Sequence, residues 1–300
     1  MLFKFKNWWR RAHFDRAVIR VLETRPISLN KSSLRIVSSV SHEDLLMYLV
    51  AIKSFCRFIT HGEIVVLNDG SLSEKDKKVL QEHVHPVSIM QLDQIPYRHG
   101  TKGVRWGILL AIADMLDDHY VVHIDSDTLT IDNPSEVNQC IESNRSFTLG
   151  TNDGREIASV KNCSDFVRNS PSNHVQIVAE KHLEQLPFSE NLKYVRGNSG
   201  LTGYARNSFN RDSLEAFYHQ MELLVGAKIK DRGSFQFSSN YVVANGINPI
   251  VLPLDRYPCI TPQIPLVQDQ AVFMHFIGRY RFDRGLYKNK VLQALRFLYG

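Results

Sequence analysis

From Leu34 to Ile124 short apolar runs alternate with helix-patterned stretches, and this alternation limits the possible folds more than any other feature. Leu34–Val40, Glu63–Leu67, Ser88–Leu92 and Tyr120–Ile124 read as strands. Between them, Ser41-His-Glu-Asp44 reads as a capping box opening a helix to about Phe58. Ser73-Glu-Lys-Asp76 caps a second helix to about Val84, and a third runs from about Lys102 to Leu116. Strand–helix alternation of this kind predicts an α/β fold with a mainly parallel, Rossmann-like sheet flanked by helices. Ligands of such sheets sit beyond the carboxyl ends of the strands. Ser38–Ser41, Asn68–Ser71 and Asp125–Asp127 all fall on that edge.

The last of these clusters carries the most chemistry. Asp125-Ser-Asp127 ends the apolar run from Tyr120, and a second β-like run, Thr128–Ile131, follows at once. Two carboxylates one residue apart repel and raise each other's pKa. A hard divalent cation such as Mg²⁺ or Mn²⁺ removes that cost and keeps coordination positions open for substrate phosphates. A polar turn between strands has the same composition. Three polar clusters on one sheet edge favour the metal–diphosphate reading.

Other readings lose ground on what the chain lacks. There is no G-x-G-x-x-G after the first strand and no G-x-x-x-x-G-K-[ST], which counts against a Rossmann dehydrogenase and a P-loop NTPase. The net charge of +5 suits an anionic substrate or surface without demanding nucleic acid, and no nucleic-acid partner is expected. Cys56, Cys140, Cys163 and Cys259 are widely spaced, which reads as buried thiols rather than zinc ligands or disulfides. No run has the length of a membrane span and the start lacks a signal-peptide core, so a cytoplasmic location is expected.

Residues 1–25 interleave Phe3, Phe5, Trp8, Trp9, Phe14, Val18, Ile19, Val21 and Leu22 with Lys4, Lys6, Arg10, Arg11, Arg16 and Arg20. This pattern fits an amphipathic helix on an anionic membrane surface, at the cytosolic face. It fits equally a helix packed on the domain with a solvated basic side. Pro26 and Ser28–Ser33 read as a linker, giving a basic N-terminal segment and linker at 1–33, a catalytic domain at 34–283 and a C-terminal helix at 284–300. Beyond Ser143 the pattern loosens. Helices are expected at His174–Leu186, Asn207–Val225, Ser234–Asn245 and Leu286–Leu298, strands at Ile250–Leu252 and Ala271–Phe276, and a tight turn at Arg196–Gly200.

The Ala271–Phe276 run delivers His275, and Gly278, Arg279 and Arg281 follow. Imidazole is a credible third ligand for Mn²⁺ beside two carboxylates, and Arg281 could hold a diphosphate through paired hydrogen bonds. Asp125-Ser-Asp127 after an apolar strand is similar to the DxD motif of GT-A glycosyltransferases. Gly197-Asn-Ser-Gly200 resembles the Asn-Ala/Ser-Gly turn of glycosyltransferase family 8 and its relatives. Gln236 falls where they carry an Asp-Gln or Glu-Gln pair, and His275-Phe-Ile-Gly278 with Arg281 looks like their His-Phe-x-Gly-x-x-Lys ending. The four pieces keep the family's order.

The resemblance implies a GT-A fold and transfer of a sugar from a nucleoside diphosphate sugar, UDP-linked, to a glycan or lipid-linked acceptor hydroxyl in surface glycan synthesis. It implies Mn²⁺ (or Mg²⁺) on Asp125, Asp127 and His275. Arg281 would touch the diphosphate, with Gly278 giving the close turn before it. Ser39, Ser41 and Asp69 would lie near the nucleoside, Lys102 and Arg105 near the donor sugar or phosphates, and Asn198 on the donor sugar. Asp127 and Gln236 would be catalytic, Gln236 beside the anomeric carbon of a retaining enzyme. An inverting enzyme would need a base, for which Asp153, Glu156 and Asp165 are in the right region. The chain departs from the pattern at Phe235, where an acid is expected, and at Phe282-Asp283, where Pro-Trp is expected; Asn68-Asp-Gly-Ser71 looks more like a turn of family 2 inverting enzymes.

Three rivals differ in class. A haloacid dehalogenase-type phosphatase also uses D-x-D, but resemblance to it expects Thr or Val where Leu129 stands, and the motif near the chain start. A nucleotidyltransferase shares the alternating sheet but carries a basic Gly-rich loop after strand one, where Ser38–Asp44 is acidic. A non-catalytic membrane-surface binding protein is favoured by Phe235 alone.

Overall fold

The computed structural model describes residues 2–97, 104–261, 270–278 and 281–299. A seven-stranded sheet forms the centre, in the order Ile250–Leu252, Phe147–Leu149, Asn198–Tyr204, Tyr120–Ile124, Asn30–Val40, His61–Asn68, Val87–Gln91. Every neighbouring pair is parallel except the two that involve Asn198–Tyr204, which runs antiparallel to both its neighbours. The mainly parallel sheet expected from the alternation is therefore present. Tyr120–Ile124 lies near the middle and is buried at all of its positions, as a strand covered on both faces must be.

Side chains of alternate strand residues feed two apolar layers. On one face Leu34, Ile36 and Val40 pack with the Leu45–Cys56 and Leu286–Leu298 helices. On the other, Val37 and Val121 pack with Val104–Ala113, Arg211–Val225 and Ser234–Ala244. The helix Leu2–Val18 joins the first layer through Phe14 and Val18, and Val21 follows in the next turn. Phe14 stacks on Tyr287 with ring centres 4.6 Å apart. Among the described residues no helix is long and apolar enough to cross a membrane.

Several boundaries differ from expectation, each for a local reason. Ser41-His-Glu-Asp44 is not a capping box: Ser41 Oγ donates to Asp44 Oδ2 at 3.1 Å, and residues His42–Asp44 form a single 3-10 turn before the helix Leu45–Cys56. Ser73 and Asp76 do form the reciprocal box expected of them. Most of the supposed linker is strand. Asn30–Val40 starts four residues before Leu34, and Leu29 N–H donates to His85 O at 2.8 Å while Asn30 N–H donates to Thr60 O at 3.0 Å. The tight turn expected at Arg196–Gly200 is a strand from Asn198 onward, because Phe147–Leu149 and Tyr120–Ile124 offer it partners on both sides. The helix expected from Asn207 begins at Arg211, since Asn210 supplies the cap and Asn207 has φ +60°. The expected His174–Leu186 helix breaks into Val175–Glu180 and a 3-10 turn, Leu183–Gln185.

Candidate functional site

Three strand ends build the site. Tyr120–Ile124 delivers Asp125, whose N–H donates to Gly200 O at 3.0 Å. Thr128 Oγ1 donates to Asp125 O at 2.8 Å and closes the turn that carries Asp127. The strand Thr128–Thr130 then pairs antiparallel with Phe273–Phe276, with His275 opposite Thr128 and Phe276 N–H donating to Asp127 O at 2.9 Å. Register alone thus brings His275, about 150 residues away in sequence, onto the two carboxylates.

His275 Nε2 lies 3.2 Å from Asp127 Oδ1 and 3.6 Å from Asp125 Oδ2. One ligand atom from each of the three residues falls within 4.8 Å of the others. Arg281 Nη2 reaches Asp127 Oδ2 at 2.9 Å. Burial pushes the Asp125 carboxyl above its ordinary value, with Asp127 adding to the push and the two histidines and Arg281 opposing it. Burial acts the same way on Asp127, but His275 and Arg281 outweigh it and hold that carboxyl below its ordinary value. Burial also disfavours charge on His275, yet the adjacent Asp127 carboxylate dominates and raises its pKa well above the usual imidazole range. Two oxygen donors, one nitrogen donor and a neighbouring cation suit a divalent ion that also meets a diphosphate.

An amide chain continues from the ligand. His275 Nδ1 donates to Asn198 Oδ1 at 2.7 Å, which leaves Nε2 facing the carboxylates. Gly200 N–H donates to the same oxygen at 2.9 Å. Asn198 Nδ2 donates to Gln236 Oε1 at 3.2 Å, Gln236 Nε2 to Gln176 Oε1 at 2.8 Å, and Gln176 Nε2 to Glu180 Oε1 at 2.8 Å. Glu180 is fully buried, and Arg196 Nε donates to its other oxygen at 3.1 Å. Such outer contacts orient ligating histidines in metal sites.

Ser39, Ser41 and Asp69 lie along the same sheet edge. Ser39 is the last residue but one of the Asn30–Val40 strand, opposite Leu67, and Ser41 is engaged with Asp44. Asp69 Oδ1 accepts from Ser71 N–H at 3.0 Å and from Ser71 Oγ at 2.5 Å, so it shapes its own turn. Gly278 has φ +54°, a conformation that glycine tolerates best, and its carbonyl accepts from Arg281 Nε at 3.0 Å. Lys102, Arg279 and the side chain of Arg105 lie outside the described residues. Asp153 pairs with Arg196 at 3.5 Å, and Asp165 pairs with Lys161 and Arg168.

Sequence reasoning passed over His123, Gln176 and Glu180. His123 stands two residues before Asp125, so strand periodicity puts both on one face. Its Nδ1 donates to Ser199 O at 3.2 Å, and its Nε2 has no hydrogen-bond partner and lies 3.8 Å from Asp125 Oδ1. Phe235, where an acid was expected, packs its ring on His123 at 4.8 Å. Gln176 and Glu180 carried no motif; four-residue spacing on a short helix was their only signal.

No family model and no curated protein matches the chain. Among solved structures, the galactosyltransferase LgtC in complex with donor and acceptor sugar analogues has TM-score 0.50 at 11% identity, over 89% of this chain and 96% of that one. The bifunctional glycosyltransferase WbbM has TM-score 0.46 at 14% identity over 88% of this chain, which spans 52% of WbbM. Mouse xyloside xylosyltransferase 1 has TM-score 0.48 at 12% identity over 82% of this chain and 97% of that one. The overlay with LgtC, over most of both chains, gives the fold as GT-A, as the motif resemblance implied.

Proposed function

We propose that this chain is a divalent-metal-dependent glycosyltransferase, moving a sugar from a nucleoside diphosphate sugar, UDP-linked, to an acceptor hydroxyl. One observation carries the reading: two carboxylates and an imidazole converge beside an arginine, at the carboxyl edge of a GT-A sheet. Asp125, Asp127 and His275 would hold Mn²⁺ or Mg²⁺. Bound there, the ion supplies Lewis-acid stabilisation of the departing diphosphate. Arg281 contributes fixed positive charge to the same oxygens. The acceptor oxygen bonds to the anomeric carbon as the bond from that carbon to the diphosphate breaks. In the retaining course, the departing phosphate oxygen takes the acceptor proton and no protein base is needed.

Gln236 and Asn198 would face the donor sugar, and Ser39, Ser41 and Asp69 the nucleoside. A lipid-linked or glycan acceptor in surface glycan synthesis, reached by peripheral attachment to an anionic cytosolic membrane face, belongs to the same proposal. Exposed Trp9, Ile19 and Phe297, near Arg16, Arg20 and Arg296 in sequence, support it. The test is hydrolysis of a panel of nucleotide sugars with and without Mn²⁺. We expect turnover that needs Mn²⁺ and is lost in Asp127→Asn. Metal-independent turnover, or cleavage of simple phosphate monoesters instead, would point to the phosphatase reading.

A further inference from the structure

The amide chain behind His275 has a direction, and that direction is set by groups that cannot reverse. Resting on the metal reading above, we propose that Glu180 and Gln176 are positioning residues of the metal centre: they fix the polarity of the chain from Glu180 through Gln176, Gln236 and Asn198 to His275, so that Nδ1 keeps its proton and Nε2 is offered to the ion.

Which atoms can donate decides the direction. Glu180 accepts at both oxygens, from Arg196 Nε at 3.1 Å and from Gln176 Nε2 at 2.8 Å. An amide whose nitrogen is turned to Glu180 must turn its oxygen the other way, and Gln176 Oε1 accepts from Gln236. The same alternation passes through Gln236 to Asn198, whose oxygen meets His275 Nδ1. Gly200 N–H, a donor only, holds Asn198 in the same sense from the other end. Glu180 and Gln176 are buried, 0% and 9% exposed, so water is a poor substitute for the link between them.

Glu180→Gln tests this, because Arg196 can only donate. The new amide must turn its oxygen to Arg196 and therefore its NH₂ toward Gln176, which puts donor against donor unless the chain reverses. Affinity for Mn²⁺ alone, measured by calorimetry on the full chain, should fall by about 10- to 100-fold, as for other outer partners of metal ligands. Adding Gln176→Glu supplies a carboxylate that accepts both from the new amide at position 180 and from Gln236. It restores the original direction at Gln236, and affinity should return to within a few-fold of the parent. A loss caused only by disturbed packing would not be rescued by a second change. The proposal is overturned if Glu180→Gln binds Mn²⁺ like the parent, or if the double variant stays as weak as the single one. Nitrogen NMR of the parent protein gives an answer that needs no variant: His275 Nδ1 should carry a proton whether or not Nε2 does, and a ring without a proton on Nδ1 overturns the relay. Failure of the parent to bind Mn²⁺ would instead remove the metal centre itself, while the NMR result still judges the relay.

Discussion

At the residue scale, the site depends on how close one strand comes to one ring. A Cβ built on Gly200 would lie 2.2 Å from His275 Nδ1 and 2.4 Å from its Cε1. The obstacle is a buried ring held by Asn198 and the strand register, so it cannot swing away cheaply. Gly200→Ala should therefore displace His275 while leaving the sheet paired. Overpacking of this sort costs roughly 1–3 kcal/mol of stability. Affinity for Mn²⁺ should drop by about 10- to 100-fold if the ring's orientation matters as outer contacts do elsewhere. Calorimetry and a melting curve separate the two effects, and unchanged metal affinity would show that His275 is not a ligand. The Asn-Ser-Gly pattern was readable in the sequence, but its reason was not. Glycine is needed here for the approach of His275, which only the pairing of Thr128–Thr130 with Phe273–Phe276 brings near.

At the element scale, two identical-looking helix starts behave differently. Ser73 caps Asp76 N–H and Asp76 Oδ2 accepts back from Ser73 N–H at 2.8 Å, whereas Ser41 bonds the Asp44 carboxylate. Ser73→Ala should cost about 0.5–2 kcal/mol and Ser41→Ala no more than about 0.5 kcal/mol in a denaturant titration. Asp76 adds a pH signature. Burial would raise its pKa, but Ser73 and His42 outweigh this and hold it below the ordinary 3.8. An acid depressed on folding contributes stability that is fully present above its unfolded value and fades as pH falls through the lower folded one. The gap in stability between the parent and Asp76→Asn should thus be steady near neutrality and shrink below about pH 4; a gap that widens in acid would contradict the assignment. The same scale explains which elements could be read in advance. Tyr120–Ile124 and His61–Asn68 have enough residues to stand out as apolar runs. Phe147–Leu149 and Ile157–Ser159 have three each, and they are strands because Asn198–Tyr204 and Lys193–Val195 lie beside them. Ser41–Asp44 misled because a sequence does not say which acceptor a hydroxyl will choose.

At the scale of the whole molecule, the question is whether residues 1–25 are an accessory to the domain or part of it. Phe14, Val18 and Val21 are at most 2% exposed and lie in the layer shared with Tyr287 and Leu295. Arg10 pairs with Asp283, and Arg11 lies over the Phe282 ring at 5.5 Å. Arg11 also reaches Asp44 at 3.4 Å, and Asp44 stands 4.0 Å from Arg281. The segment therefore supports the turn that carries Arg281. Its last residues answer a second need: buried Lys53 donates to Thr24 Oγ1 and to Arg25 O, both at 2.8 Å. A chain starting at Lys31 would lose four buried apolar side chains, Leu29 being the fourth, roughly 6–12 kcal/mol at 1.5–3 each. It would also leave a buried ammonium short of acceptors. Total stability of a domain is about 5–15 kcal/mol, so the shortened chain should be largely unfolded or melt far lower. Membrane attachment has to be tested on the exposed stripe instead. Arg16→Glu with Arg20→Glu should keep the parent melting temperature and lose binding to anionic vesicles at low salt, each cation contributing about 1 kcal/mol there. A shortened chain that melts like the parent would show that the segment is a separable anchor. Vesicle binding that survives both charge reversals would put the attachment elsewhere on the molecule.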